Sequence, residues 1–122
     1  MRRSKSMTAS ALALAAAWMS LTASQAQGAT LTVKAGESIQ AAVKRALPGD
    51  RIEVEPGLYK ETVFIDKDGI ELSGIVRGGQ WPVLDGENKL NDGVLVSGHG
   101  VTIERLWVKR YKGNGIMTQG SN

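Results

Sequence analysis

The residues best suited to contact a ligand lie near the carboxyl end of the sequence. Aromatic faces stack on sugar rings, and Lys and Arg side chains attract carboxylates. Residues 99–122 hold four basic side chains and one acid, Glu104. This composition predicts a surface that binds an acidic polysaccharide, although a solvated loop with one aromatic edge would contain the same residues. The candidate binding residues are Trp107, Lys109, Arg110, Tyr111 and Lys112.

A strand through this cluster would divide its side chains between two faces. Because alternate residues of a strand point to opposite sides, Leu106 and Val108 are expected to face inward, leaving Trp107 and Lys109 outside. Another aromatic residue, Trp81, precedes a proline and is expected to pack at a corner rather than to bind a ligand.

Metal and catalytic chemistry have weaker support. One acidic loop, with Asp85, Glu87, Asn88 and Asp92, could offer oxygens to Ca²⁺, but solvated loops are commonly acidic. His99 is the single histidine and lies between two glycines, as expected of a turn residue. Without cysteine, a transition-metal site is disfavoured. We therefore predict no catalytic residues, no metal ligands and no cofactor, with Ca²⁺ as the sole alternative.

The first 26 residues have the pattern of a secretory signal peptide. A basic start (Arg2, Arg3 and Lys5) precedes an apolar stretch over residues 9–21 and small residues before Ala26. Cleavage near Ala26 predicts a secreted or periplasmic protein with no membrane span in the mature part, residues 27–122. Removing three of the fifteen basic residues leaves twelve against twelve acids, so the basic isoelectric point gives no support for nucleic-acid binding.

The elements of the mature part predict a β-solenoid. One helix is expected over residues 38–47, with Ser38 as N-cap and Leu47 among the core-facing residues. Short apolar runs follow, separated by turn residues. Corners at Gly69, Gly93 and Gly115 recur after 24 and 22 residues and are predicted to stack. This pattern predicts an all-β, right-handed parallel β-helix with one short N-terminal capping α-helix.

Several segments resemble a known family. Residues 38–42, 48–52 and 56–61 resemble the opening of pectin-lyase-like β-helix proteins, and residues 100–103 and 114–116 resemble their coil repeats. That superfamily includes pectate and alginate lyases, pectin esterases, alginate epimerases and NosD-type periplasmic proteins. Gly57, Tyr59 and Glu61 match the spacing of the first pectin methylesterase motif, but the later catalytic motifs are not found. Tyr59 and Glu61 are therefore expected to close the first corner.

Three functions remain open from the sequence. The chain could bind acidic polysaccharide without catalysis, or be the N-terminal part of a lyase, esterase or epimerase whose active site lies on later coils. It could also be a structural or assembly module that offers its open end to a partner. The sequence stops partway through a coil, after residues 116–118, which predicts truncation at the C-terminal end. No oligomeric state is predicted.

Overall fold

A computed structural model describes residues 28–119 of the chain. The expected signal peptide lies outside the described residues. Within residues 28–119, no helix has the length and apolar character needed to cross a membrane. The elements in chain order are β1 (Thr30–Val33), α1 (Ile39–Arg45), β2 (Arg51–Val54), β3 (Gly57–Tyr59), β4 (Val63–Ile65), β5 (Glu71–Gly74), β6 (Pro82–Asp85), β7 (Val94–Val96), β8 (Thr102–Glu104), β9 (Trp107–Lys109) and β10 (Ile116–Thr118).

The strands form three parallel sheets that the chain visits in rotation. Sheet A contains β1, β2, β5 and β8, sheet B contains β3, β6 and β9, and sheet C contains β4, β7 and β10. Each strand pairs in parallel with the equivalent strand of the next coil. Three A–B–C coils thus follow β1. The predicted all-β parallel β-helix with a short helix is confirmed.

Stacked aliphatic side chains fill the interior. In sheet A the register aligns Leu31, Ile52, Leu72 and Ile103, one above another. The two central members of this column are fully buried. Because successive strand residues point to opposite faces, each short strand contributes only one or two side chains to the core. The solenoid is therefore stabilised chiefly by contacts between neighbouring coils.

Helix α1 packs against β1, β2 and β4 and covers the first coil. Ser38 is its N-cap, as predicted, and accepts a hydrogen bond from the Ala41 amide at 3.1 Å. The prediction that Leu47 faces the core is wrong, since Leu47 is 68% exposed. Ala46 takes an extended conformation that ends the helix. The Leu47 amide, past the end of the helix, donates to the Asp50 carboxylate at 2.9 Å.

The predicted stacking of three glycines is correct for only two of them. Gly93 and Gly115 are neighbours, because each precedes one of the paired residues Val94 and Ile116. Gly69 instead stacks between Gly49, whose amide donates to Asp68, and His99, whose carbonyl accepts from Gly69.

Unequal coil lengths explain this error. In sheet A the step between paired residues is 20 from Arg51 to Glu71 but 31 from Glu71 to Thr102. Longer turns after β5 and β6 lengthen the second coil. The 24-residue interval between Gly69 and Gly93 therefore joins corners of different sheets.

Candidate functional site

The outward face of sheet B carries two columns of different character. Leu58, Val83 and Trp107 form the first, an apolar column in which each residue pairs with the next. Trp107 at its end is 54% exposed. The second column places Asp85 opposite Lys109. Because Asp85 is buried, Lys109 is the charged group that the second column presents beside the apolar one.

Lys109 lies close to the indole of Trp107. Its Nζ atom is 5.1 Å from the ring centroid, within the range of a cation–π interaction. The outward position of both residues agrees with the predicted strand alternation, and Val108 between them packs against the core. The geometry therefore places a cation over one face of a half-exposed indole.

Trp81 lies at the corner before β6, as expected, and its partly exposed side chain borders this surface. It immediately precedes β6 and is 41% exposed, whereas Pro82 is buried. Trp81 and Trp107 together border two shallow grooves of about 400 and about 480 Å³. The first groove runs over the apolar column and the residues before β3 and β6. The second lies at the open end of the last coil, where it is bordered by the core-side residues Leu106, Val108 and Ile116. The sequence shows a tryptophan at this position. Whether its side chain is exposed depends on the direction of the preceding turn, which no local sequence pattern predicts.

Arg110 is held in an ion pair instead of facing the grooves. Its Nε atom donates to Asp85 Oδ1 at 2.8 Å, and its Nη2 atom donates to Asp85 Oδ2. Asp85 is 2% exposed. The hydrogen bonds from Arg110 lower the pKa of Asp85 to about 2, with a further contribution from the Glu87 amide. This two-point contact joins β6 to the turn after β9.

Tyr111 and Lys112 lie in the same turn, between β9 and β10. The Tyr111 hydroxyl donates to the Glu61 carbonyl at 2.5 Å, and burial raises the pKa of Tyr111 to about 12. Lys112 is exposed, and its amide donates to Leu90. Of the five predicted binding residues, Trp107 and Lys109 thus share the outer face of sheet B, while Arg110 and Tyr111 connect coils.

The acidic loop does not gather its side chains around one point. Asp85 is occupied by Arg110, Glu87 lies 3.3 Å from Lys60, and Asp92 accepts from the Asn114 amide. Across residues 28–119 there is no group of three or more acidic or histidine side chains positioned to hold a metal ion.

Tyr59 closes the first corner, as expected, but the Glu61 side chain binds the start of α1 instead. The buried Tyr59 hydroxyl donates to the Glu55 carbonyl at 2.7 Å and so closes the corner between β2 and β3. Burial is the main cause that raises the pKa of Tyr59 to about 12. The Glu61 carboxylate accepts hydrogen bonds from the start of α1. His99 is exposed in the turn before β8, where its amide donates to Asp68.

The outer face of sheet A is charged, but its charges pair with one another. Arg51 lies 3.1 Å from Glu53 and 3.8 Å from Glu71. Ser73, in the next coil, accepts hydrogen bonds from both Arg51 and Arg105. These contacts cross-link neighbouring coils, so the outer face of sheet B is the better candidate for a ligand.

The comparisons add no relative to this description. A scan against models of protein families, a search of curated proteins and a search of solved structures each found no match to this chain. The strand pairing alone therefore establishes the β-helix architecture, and function must be argued from the outer face of sheet B.

Proposed function

We propose that this chain is an exported β-helix protein, related to the pectin-lyase-like superfamily, that binds acidic polysaccharide without cleaving it. The observation that carries the proposal is the adjacency of Trp107 and Lys109 beside an exposed apolar column. An indole face offers stacking to the C–H face of a pyranose ring, and an ammonium group attracts a uronate carboxylate.

The surrounding charges favour an anionic ligand. Lys60 directly follows β3 and lies 3.3 Å from Glu87, and such a partly exposed pair is weak. Arg110 neutralises Asp85, which removes the repulsion that a free carboxylate beside Lys109 would exert on a uronate. Lys109 therefore remains available as a cation on the ligand side.

Affinity electrophoresis in gels that contain pectate, alginate or a neutral glucan tests the proposal. We expect the acidic gels to retard the protein, and added salt to weaken this effect because it screens surface charges. The substitutions Trp107→Ala and Lys109→Ala should each lower the affinity for the acidic glycan about fivefold to tenfold, the equivalent of a lost stacking or ionic contact. Lys44→Ala on α1 is the matched control and should bind normally. Equal migration in acidic and neutral gels would reject acidic-glycan binding.

Export is a separate part of the proposal and rests on the signal-peptide pattern in residues 1–26. Expression with the native N-terminus, followed by intact-mass measurement of the protein from the periplasm or medium, tests it. We expect the mass of a chain that begins near Gln27. Recovery of the uncleaved chain in the cytoplasm would contradict export.

An enzymatic role is the alternative that the family resemblance raises. It would place the active site on later coils, as the resemblance implies. Incubation with pectate and alginate, with and without Ca²⁺, should yield no unsaturated product by ultraviolet absorbance. Incubation with methylated pectin should likewise release no methanol. Product formation that Trp107→Ala abolishes would replace the binding proposal with an enzymatic one.

An assembly role is the second candidate, and one specific observation favours it. In the described part of the chain, β8, β9 and β10 each pair with a strand on one side only. Ile116 and Met117 at this end are exposed. Unpaired strand edges with apolar neighbours are templates for association. Light scattering over a range of concentrations should show self-association that Ile116→Lys weakens; a monomer at all concentrations would exclude self-assembly.

A further inference from the structure

We infer that the turn over residues 77–80 is a binding loop that sets Trp81 beside Trp107 as a second stacking position for one glycan chain. This inference rests on the proposed function and deepens it. A surface with two aromatic positions recognises an oligomer of uronic acids, because a single sugar ring can cover only one indole.

The first argument is the length of the turn. The connections from sheet A to sheet B take two residues after β2 and two after β8, but seven after β5. Two residues therefore suffice to continue the solenoid, and the longer connection contains five residues that coil formation does not require. Loops inserted into a rigid scaffold are common sites of ligand binding.

The second argument is the conformation of this connection. Arg77 and Gln80 exchange backbone hydrogen bonds of 3.1 and 2.9 Å and form an antiparallel bridge. Gly78 and Gly79 between them both have positive φ, 56° and 78°, as a two-residue hairpin turn of type I′ requires. A hydrogen-bonded turn holds Trp81 in a fixed place, which lowers the entropy lost on binding.

The third argument is the surface that results. Trp81 remains exposed although indoles bury large areas when they pack in a core. Together with Trp107 it borders the groove over Leu58 and Val83 on the outer face of sheet B, so one extended ligand can contact both rings.

Charge at the two sides of this surface favours an acidic glycan over an apolar peptide. Lys109 lies beside Trp107, and Arg77 stands at the base of the Trp81 turn. Arg77 is 3.6 Å from Glu55 and well exposed, and such pairs are weak enough to exchange partners. A carboxylate on each of two successive or alternate rings could therefore meet a cation.

Intrinsic fluorescence provides a direct test, because the chain has three tryptophans and only Trp18 lies away from this surface in sequence. The proposed mature chain, which begins near Gln27, lacks Trp18, so both of its indoles report on this surface. Titration with oligouronates of increasing length should change the emission, with affinity rising with length and then reaching a plateau. Trp81→Ala should remove most of that rise, about fivefold to tenfold, and leave the affinity for the shortest binding oligomer unchanged.

Four further outcomes make the test decisive. Trp81→Tyr should restore the length dependence, and an unchanged thermal midpoint in all variants should show that the fold is intact. If Trp81→Ala binds long oligomers as tightly as the parent while Trp107→Ala does not, the inference is overturned and the proposed function stands. If the parent binds no oligouronate of any length, both are overturned.

Discussion

Glu61 precedes β4 and Lys67 follows it, and their side chains bind opposite ends of α1. The Glu61 carboxylate accepts hydrogen bonds from the Ile39 amide at 2.9 Å and the Gln40 amide at 3.1 Å. The Lys67 ammonium group donates to three carbonyls at the other end at 2.6 to 2.9 Å; these belong to Val43, Lys44 and Ala46. An anion at the N-terminus and a cation at the C-terminus complement the helix dipole.

We predict that loss of either cap loosens the helix from the first coil. Glu61→Ala and Lys67→Ala should each lower the free energy of unfolding by about 1.5 to 3 kcal/mol, since hydrogen bonds to charged groups are lost and backbone groups lose partners. Urea unfolding followed by circular dichroism measures this change.

Lys44→Ala is the control for that prediction, because Lys44 occupies the same helix with its side chain exposed. It should change stability by about 0.5 kcal/mol or less. If Lys67→Ala is no more destabilising than Lys44→Ala, the three carbonyl contacts contribute nothing net to stability.

Gln40 also attaches α1 to β4. Its side-chain oxygen accepts from the Phe64 amide at 2.5 Å, and its side-chain nitrogen donates to the Phe64 carbonyl at 3.3 Å. In sheet C, β4 pairs with β7 on one side only. The Gln40 amide thus takes the place of a neighbouring strand, which is how the capping helix protects this edge from other chains.

The ion pair between Arg110 and Asp85 predicts a pH dependence of stability. The folded pKa of Asp85, about 2, lies below its unfolded value of about 4. Its contribution is therefore fully present above pH 4 and is lost as the pH falls through about 2. Arg110→Met should lower the thermal midpoint at neutral pH, and the difference from wild type should shrink between pH 4 and 2.

Lys112→Met is the matched control, because it removes one positive charge from the same turn while Lys112 is exposed. Asp50, whose pKa is lowered mainly by hydrogen bonds from the Leu47 and Ala29 amides, titrates in all three proteins and cancels in the comparison. A difference between Arg110→Met and wild type that stays constant down to pH 2 would show that the pair does not couple to folding.

Tyr111 is predicted to stabilise the protein more through its ring than through its hydroxyl. A Cβ atom at Gly86 would lie 2.6 Å from the Tyr111 ring, so this ring packs directly on the backbone. Tyr111→Phe should cost about 1 kcal/mol for the lost bond to the Glu61 carbonyl, and Tyr111→Ala about 3 kcal/mol or more for the lost packing. Equal unfolding free energies for the two variants would contradict this division.

Local signals in the sequence predicted much of the fold but not the number of residues in each coil. Ser38 before an amphipathic run and Pro48-Gly49 after it located the helix, because capping depends on neighbouring residues. The register between coils depends on turn lengths, which differ from coil to coil. The near-equal spacing of the glycines therefore predicted the wrong stacking partner for Gly69.

The candidate site was predictable only in part, because some of its contacts join different coils. Trp107 and Lys109 lie two apart on one strand, and alternation alone places them on one face. The partner of Arg110 is 25 residues earlier in sequence, and contacts across coils have no local signature. The exposure of Trp81 likewise depends on the direction of the 77–80 turn.

Position 74 requires glycine because there is no room for a Cβ atom. A comparison with Gly100 separates this steric requirement from the requirement for a positive φ. A Cβ atom at Gly74 would lie 1.7 Å from the Arg105 carbonyl oxygen, in the backbone of the next coil. Gly74→Ala must therefore push two coils apart and should cost about 3 kcal/mol or more. Gly100 has φ of 67° but no atom within 4 Å of its Cβ position, so Gly100→Ala should cost only about 1 to 2 kcal/mol of backbone strain. Urea unfolding of both variants measures the difference, and a Gly74→Ala protein as stable as Gly100→Ala would mean that the coils are not stacked in this register.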